Sequence, residues 1–118
     1  PDPLDKQSPF HPSNINTYKN VPTKDIPDTE SLKDTYERVI DYYKSEIQDN
    51  LKNGNVLISA HGNSLRGLCK YLFNLDKIQI SNLEIPTGNP LLVEIDENQT
   101  IKNCKYLDQN RAKDLVVF

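Results

Sequence analysis

Leu32, Tyr36, Val39, Tyr43, Ile47 and Leu51 recur at spacings of three and four, which sets them along one face of a 3.6-residue helix. Asp34, Glu37, Asp41 and Glu46 interleave with Lys33, Arg38 and Lys44 on the other face, and Asp28 or Thr29 is placed to cap the first amides. The pattern predicts a helix from Thr29 to Asn53-Gly54, whose glycine supplies a left-handed stop. Residues 56–60 then run almost continuously apolar between a glycine stop and a glycine turn. Such a run suits a strand covered on both faces, as in a parallel sheet.

The helical period returns at Leu65, Leu68, Cys69 and Leu72, followed by Phe73 or Leu75. Helix, buried strand, tight turn and helix form the rhythm of an open α/β sheet. Residues 78–83 read as a short helix, and the prolines and glycine of 85–90 interrupt regular structure. Residues 91–95 and 101–107 read as strands, and a four-residue connection makes them an antiparallel pair, because a parallel return needs a crossover of about a dozen residues. No internal repeat is present, and the tail from Arg111 is ambiguous.

Six of the eight prolines fall in residues 1–28. Proline fixes φ and removes a backbone donor, so this segment reads as an extended surface loop. His11 within it has no partner pattern and is expected to be exposed. A free-standing domain seldom opens on such a loop. With Pro1 in first place, the chain is expected to be the C-terminal part of a longer domain: loop 1–28, a helix-strand-helix-lid-hairpin unit over 29–107, and a tail over 108–118.

At 118 residues the chain holds one modest core. Fourteen basic and 17 acidic residues are scattered, for a net charge of −3, which argues against nucleic-acid binding through a basic field. No run of about 18 apolar residues occurs and the N-terminus has no signal-peptide pattern. The expectation is a cytoplasmic protein without a membrane partner. Cys69 and Cys104 lack CxxC spacing, so no metal site is expected, and Cys69 reads as a small buried thiol.

Candidate chemistry sits in Ser59-Ala60-His61-Gly62-Asn63-Ser64-Leu65-Arg66. In open α/β sheets ligands bind beyond the carboxyl ends of strands. Gly62 allows close backbone approach or a positive φ, Asn63 or Ser64 can cap the next helix, and free amides at its start favour an anion such as phosphate. From these residues alone His61 is either a chemical group or an ordinary hydrogen-bonded loop residue, and the spacing does not separate the two. Ser64 lacks the GxSxG elbow of a nucleophile. Arg66 has a structural reading, since the amides and not its side chain point out of the helix start.

The order Ala60-His61-Gly62-Asn63-Ser64-Leu65-Arg66-Gly67-Leu68, Ile85-Pro86-Thr87-Gly88-Asn89-Pro90-Leu91 and Asp96-Glu97-Asn98, preceded by Glu30-Ser31-Leu32, resembles the cofactor-dependent phosphoglycerate mutases of the histidine phosphatase superfamily. The resemblance covers about residues 27–107. It implies a three-layer αβα sandwich with a mostly parallel sheet and one antiparallel strand. It also implies a glycolytic isomerase that interconverts 3-phosphoglycerate and 2-phosphoglycerate through a phosphohistidine primed by 2,3-bisphosphoglycerate.

By the same resemblance, His61 matches the second active-site histidine, a cation that stabilises the transferring phosphoryl group. Gly62 and Asn63 match contacts to the substrate phosphate. The family's RHG nucleophile, general-acid glutamate and arginine clamps lie on segments upstream of this chain. The chain is therefore expected to be inactive alone, to require the N-terminal half of the same protein, and to form a homo-oligomer when complete. Asn89 stands where the family usually carries valine and Asp108 where glycine is common. Two alternatives remain: a non-catalytic α/β module with a relic phosphate pocket, and a histidine-type phosphatase, against which the Ile85-Pro86-Thr87-Gly88 segment argues.

Overall fold

The computed structural model describes residues 2–112. Helix α1 spans Leu32–Tyr42. Its cap is Ser31 rather than Asp28 or Thr29: Ser31 Oγ accepts from the Asp34 amide at 3.2 Å, and Asp34 Oδ2 accepts from the Ser31 amide at 2.9 Å. Two otherwise unpaired donors are thus satisfied reciprocally. The predicted helix does not continue regularly to residue 53. It widens into a π turn at Tyr43–Ile47 and tightens into a 3-10 turn at Gln48–Lys52. The predicted face holds, with Tyr43 buried and Leu32, Tyr36, Val39, Ile47 and Leu51 half-buried, and within α1 it widens to the neighbouring Thr35 and Ile40, which are buried.

Helix α2 spans Gly62–Leu72 and α3 spans Lys77–Asn82. Asp76 caps α3, its Oδ1 accepting from the amides of Ile78 and Gln79 at 2.8 Å each. Strands β1 (Leu91–Ile95) and β2 (Ile101–Tyr106) pair antiparallel, as predicted, with Val93 opposite Cys104 and Leu91 opposite Tyr106. A bulge falls between Glu94 and Ile95. The connecting turn is held by Asp96, whose Oδ1 accepts from the amides of Asn98 and Thr100 at 2.9 Å each. These bonds, with Lys102 beside them, lower the Asp96 carboxyl pKa.

The core joins α2, α3 and the hairpin. Cys69, Phe73, Leu75 and Ile80 are buried together, with Leu72, Leu83, Ile85, Leu91, Val93, Ile101 and Cys104 packed against them. Burial pushes the Cys69 thiol up to about 12, with Cys104 a lesser cause, and the Cys104 thiol up to about 11, both from an ordinary 9.0. An unfolded chain would release these protons above about pH 9 while the folded one keeps them. Their contribution is therefore complete below that pH and fades as pH rises through the folded values. The denaturant midpoint is expected to fall as pH rises from about 9 through about 11, and Cys69→Ala to flatten that fall.

Helices α1 and α2 pack closely where a Cβ on Gly67 would lie 3.3 Å from the Tyr36 Cα. Tyr43 meets Tyr71 edge-on at 5.8 Å, and Lys70 sits 5.7 Å from the Tyr36 ring centre. Gly67→Val is expected to cost about 2–3 kcal/mol, because the neighbour it crowds is backbone that cannot rotate away. Equilibrium unfolding checks this.

Three further expectations are corrected. Residues 56–60 form no strand. They lie outside regular structure and make no backbone hydrogen bond among the described residues, with Leu57 92% exposed. A strand is defined by a ladder partner, and the only sheet among the described residues is the β1–β2 hairpin. The α/β class stands in this coarser form.

The Pro-rich segment is not an extended loop throughout. It carries 3-10 turns at Pro12–Asn14, Asn16–Tyr18 and Thr23–Asp25. His11 is 2% exposed, not solvent-facing. Its Nδ1 lies 2.6 Å from Ser13 Oγ and accepts from the Ser13 amide at 3.2 Å. Its Nε2 lies 3.4 Å from Asp28 Oδ1, without hydrogen-bond alignment. The tail expectation falls mainly on 113–118, outside the described residues.

Candidate functional site

The mouth of α2 follows directly from the local sequence. Residues 56–60 deliver the chain to His61, whose φ of −63° and ψ of 147° are extended, and Gly62 begins the helix. His61 itself is the N-cap, with Nδ1 accepting from the Asn63 amide at 3.4 Å. Neither Asn63 nor Ser64 caps, because both already lie inside the first turn. Both histidines of the chain thus cap a helical turn through Nδ1, His11 ahead of Pro12 and His61 ahead of Gly62. Proline after a polar residue is a cap signal, and it is the signal that identifies His11 as an ordered residue.

His61, Gly62 and Asn63 are all exposed. Gly62 does not take a positive φ. A Cβ placed on it would meet nothing within 4 Å, so the space above the first turn is open to a ligand. The first turn of α2 carries no acidic residue. Its amides and dipole therefore face that space without a neutralising carboxylate. The 3.4 Å cap bond is long and solvent-exposed, so His61 gives up little when its ring turns toward a ligand.

Arg66 fulfils its structural reading. It donates from NH2 to the Ile80 carbonyl at 2.7 Å and from NH1 to Asn63 Oδ1 at 3.1 Å, joining α2 to α3. Sequence periodicity did not reveal this link, since its acceptor on α3 is a backbone carbonyl 14 residues away.

Asn89 and Asp108 are joined beyond the hairpin. Asn89 is 4% exposed; its Nδ2 donates to the Asp108 carbonyl at 2.8 Å, and its Oδ1 accepts from the Asp108 amide at 3.0 Å. This amide imitates a peptide unit and extends the hairpin past the bond from the Leu107 amide to the Pro90 carbonyl at 2.9 Å. Arg111 donates to the carbonyls of Thr87 at 2.8 Å and Gly88 at 3.3 Å, so the chain after β2 is tied to the 85–90 loop. Among the described residues no three His, Cys, Asp or Glu side chains gather as a metal site would require, and no helix is long and apolar enough to cross a membrane.

A helix mouth led by His-Gly-Asn on a small α/β frame marks a class. The chain matches the histidine phosphatase superfamily (branch 1) over residues 5–106 and belongs to that superfamily. It is 64% identical, over 119 aligned residues, to the 2,3-bisphosphoglycerate-dependent phosphoglycerate mutase of Pelagibacter ubique (strain HTCC1062), covering 100% of this chain and 50% of that protein. Proteins of the same name from Hydrogenobaculum sp. (strain Y04AAS1) and Hyphomonas neptunium (strain ATCC 15444) are each 47% identical, over 91% and 98% of this chain and 44% and 48% of theirs. The chain spans about half the length of the curated relatives it matches.

Proposed function

We propose that the full-length protein containing this chain is a 2,3-bisphosphoglycerate-dependent phosphoglycerate mutase, interconverting 3-phosphoglycerate and 2-phosphoglycerate in the cytoplasm. The observation that carries this reading is the 64% identity, over the whole of this chain, to a protein of that name. Residues 1–118 form the C-terminal part of a single three-layer αβα domain, with 56–60 as an interior strand of its mostly parallel sheet. The half-length match and the exposed apolar side chains of Val56 and Leu57 support this placement.

The donor set at the α2 mouth fits a bisphosphorylated acid: an imidazole, a side-chain amide, free helix amides and no carboxylate in the first turn. When bound, 2,3-bisphosphoglycerate supplies the phosphoryl group that primes a histidine in the N-terminal half. His61, protonated, places positive charge beside the phosphoryl oxygens. Gly62 lets the backbone approach them, and Asn63 donates a hydrogen bond. Phosphoryl transfer depends chiefly on such positioning and charge stabilisation. The complete protein works as a homo-oligomer whose active sites each need the N-terminal half.

The test is to express the full-length protein, incubate it with 2,3-bisphosphoglycerate, and follow 3-phosphoglycerate conversion by phosphorus NMR. Primer-dependent production of 2-phosphoglycerate is expected, with an acid-labile phosphohistidine outside residues 1–118. Hydrolysis to inorganic phosphate without isomerisation would instead make it a phosphatase.

A further inference from the structure

A guanidinium only donates hydrogen bonds. The Asn63 atom facing Arg66 NH1 at 3.1 Å is therefore the carbonyl oxygen Oδ1, and the amide NH2 of Asn63 is turned the other way. Arg66 is itself held at its second arm, where NH2 donates to the Ile80 carbonyl on α3 at 2.7 Å. Because the fork is planar and rigid, anchoring one arm on α3 fixes the arm that reaches Asn63.

This arrangement has two unfavourable features. Arg66 Nε is buried without a partner. The cation also stands in the second turn of α2, toward the end where the helix dipole disfavours positive charge. An anion at the α2 mouth would offset the second of these.

We propose that Arg66 is a positioning residue: it locks the amide of Asn63 with its donor face toward the ligand, making the phosphate seat at the α2 mouth selective for oxygens that only accept. This inference rests on the site reading given under Proposed function. It adds that the selectivity of the seat is set from α3, through Arg66, and not by Asn63 alone. A freely turning amide could present its oxygen to the ligand and repel the same anion.

The experiment measures inorganic phosphate affinity in the full-length protein for N63A, R66K and the double variant. Lysine keeps the charge and cannot bridge Ile80 and Asn63 as a fork. Each single substitution is expected to weaken phosphate binding about tenfold, the worth of one charge-assisted hydrogen bond, and the double variant to be no weaker than N63A. Wild-type affinity in R66K, or effects that multiply in the double variant, overturns the role of Arg66 and leaves the phosphate site standing. Unchanged affinity in N63A removes the site reading and this inference together. Should R66K fold poorly, the side-chain amide resonances of Asn63 in the unsubstituted protein decide: phosphate shifts them if the donor face meets the anion, and their failure to move overturns the role.

Discussion

Replacing His61 with alanine in the full-length protein is expected to lower turnover by roughly 10²–10³-fold, the usual cost of removing one preorganised group that stabilises transition-state charge. The same substitution also removes the α2 cap, a confounding effect worth about 1 kcal/mol at a well-formed cap and less here, where the bond is 3.4 Å and exposed. His61→Asn separates the two roles. Asparagine caps a helix as well as any residue, so stability is retained, but it carries no charge and the loss of turnover remains. Turnover within about threefold of wild type in H61N, measured at saturating substrate, would sink the catalytic role and leave His61 as a cap.

Leu57→Ala should cost the full-length protein about 2–5 kcal/mol, the range for deleting a buried leucine side chain. In the chain described above Leu57 is 92% exposed, and at a site that stayed so the same change would fall within about 0.5 kcal/mol. The gap between these values tests whether residues 56–60 become an interior strand when the rest of the domain is present. Equilibrium unfolding of the full-length L57A variant is the measurement. A companion outcome concerns residues 1–118 alone: with an apolar, unladdered segment bare, they are expected to self-associate and to show no mutase turnover. A monodisperse monomer with cooperative unfolding would contradict that expectation.

These outcomes bear on what was legible in the chain. Helix α2 and the hairpin could be read because their signals are local. Leu65, Leu68, Cys69 and Leu72 share one helical face, and a short polar connection leaves 91–95 and 101–106 no choice but to pair antiparallel. The pattern sets the cap of α1 at Asp28 or Thr29, three or two residues early, although Ser31 and Asp34 stand three apart as a capping box requires. The π turn at Tyr43–Ile47 was not legible, since Ile47 and Leu51 keep the regular spacing while the backbone departs from it.

The site divides in the same way. His61, Gly62 and Asn63 are neighbours in the chain, so their meeting at one helix mouth needs no tertiary fold. What each atom does there was decided by contacts across the molecule. Arg66 found its anchor on the Ile80 carbonyl, Asn89 its counterpart in the Asp108 peptide, and His11 its burial beside Ser13 and Asp28.

By itself the amino-acid sequence determined the elements whose hydrogen bonds close within a few residues, together with the run of polar groups that opens α2. Only the tertiary structure decided which way Asn63 faces, whether a histidine is exposed, and whether an apolar run becomes a strand. Asn63 faces as it does because its near neighbour Arg66 is anchored on Ile80, fourteen residues on, and the other two depend on packing or ladder partners that the local chain does not contain, about which neither periodicity nor propensity carries information.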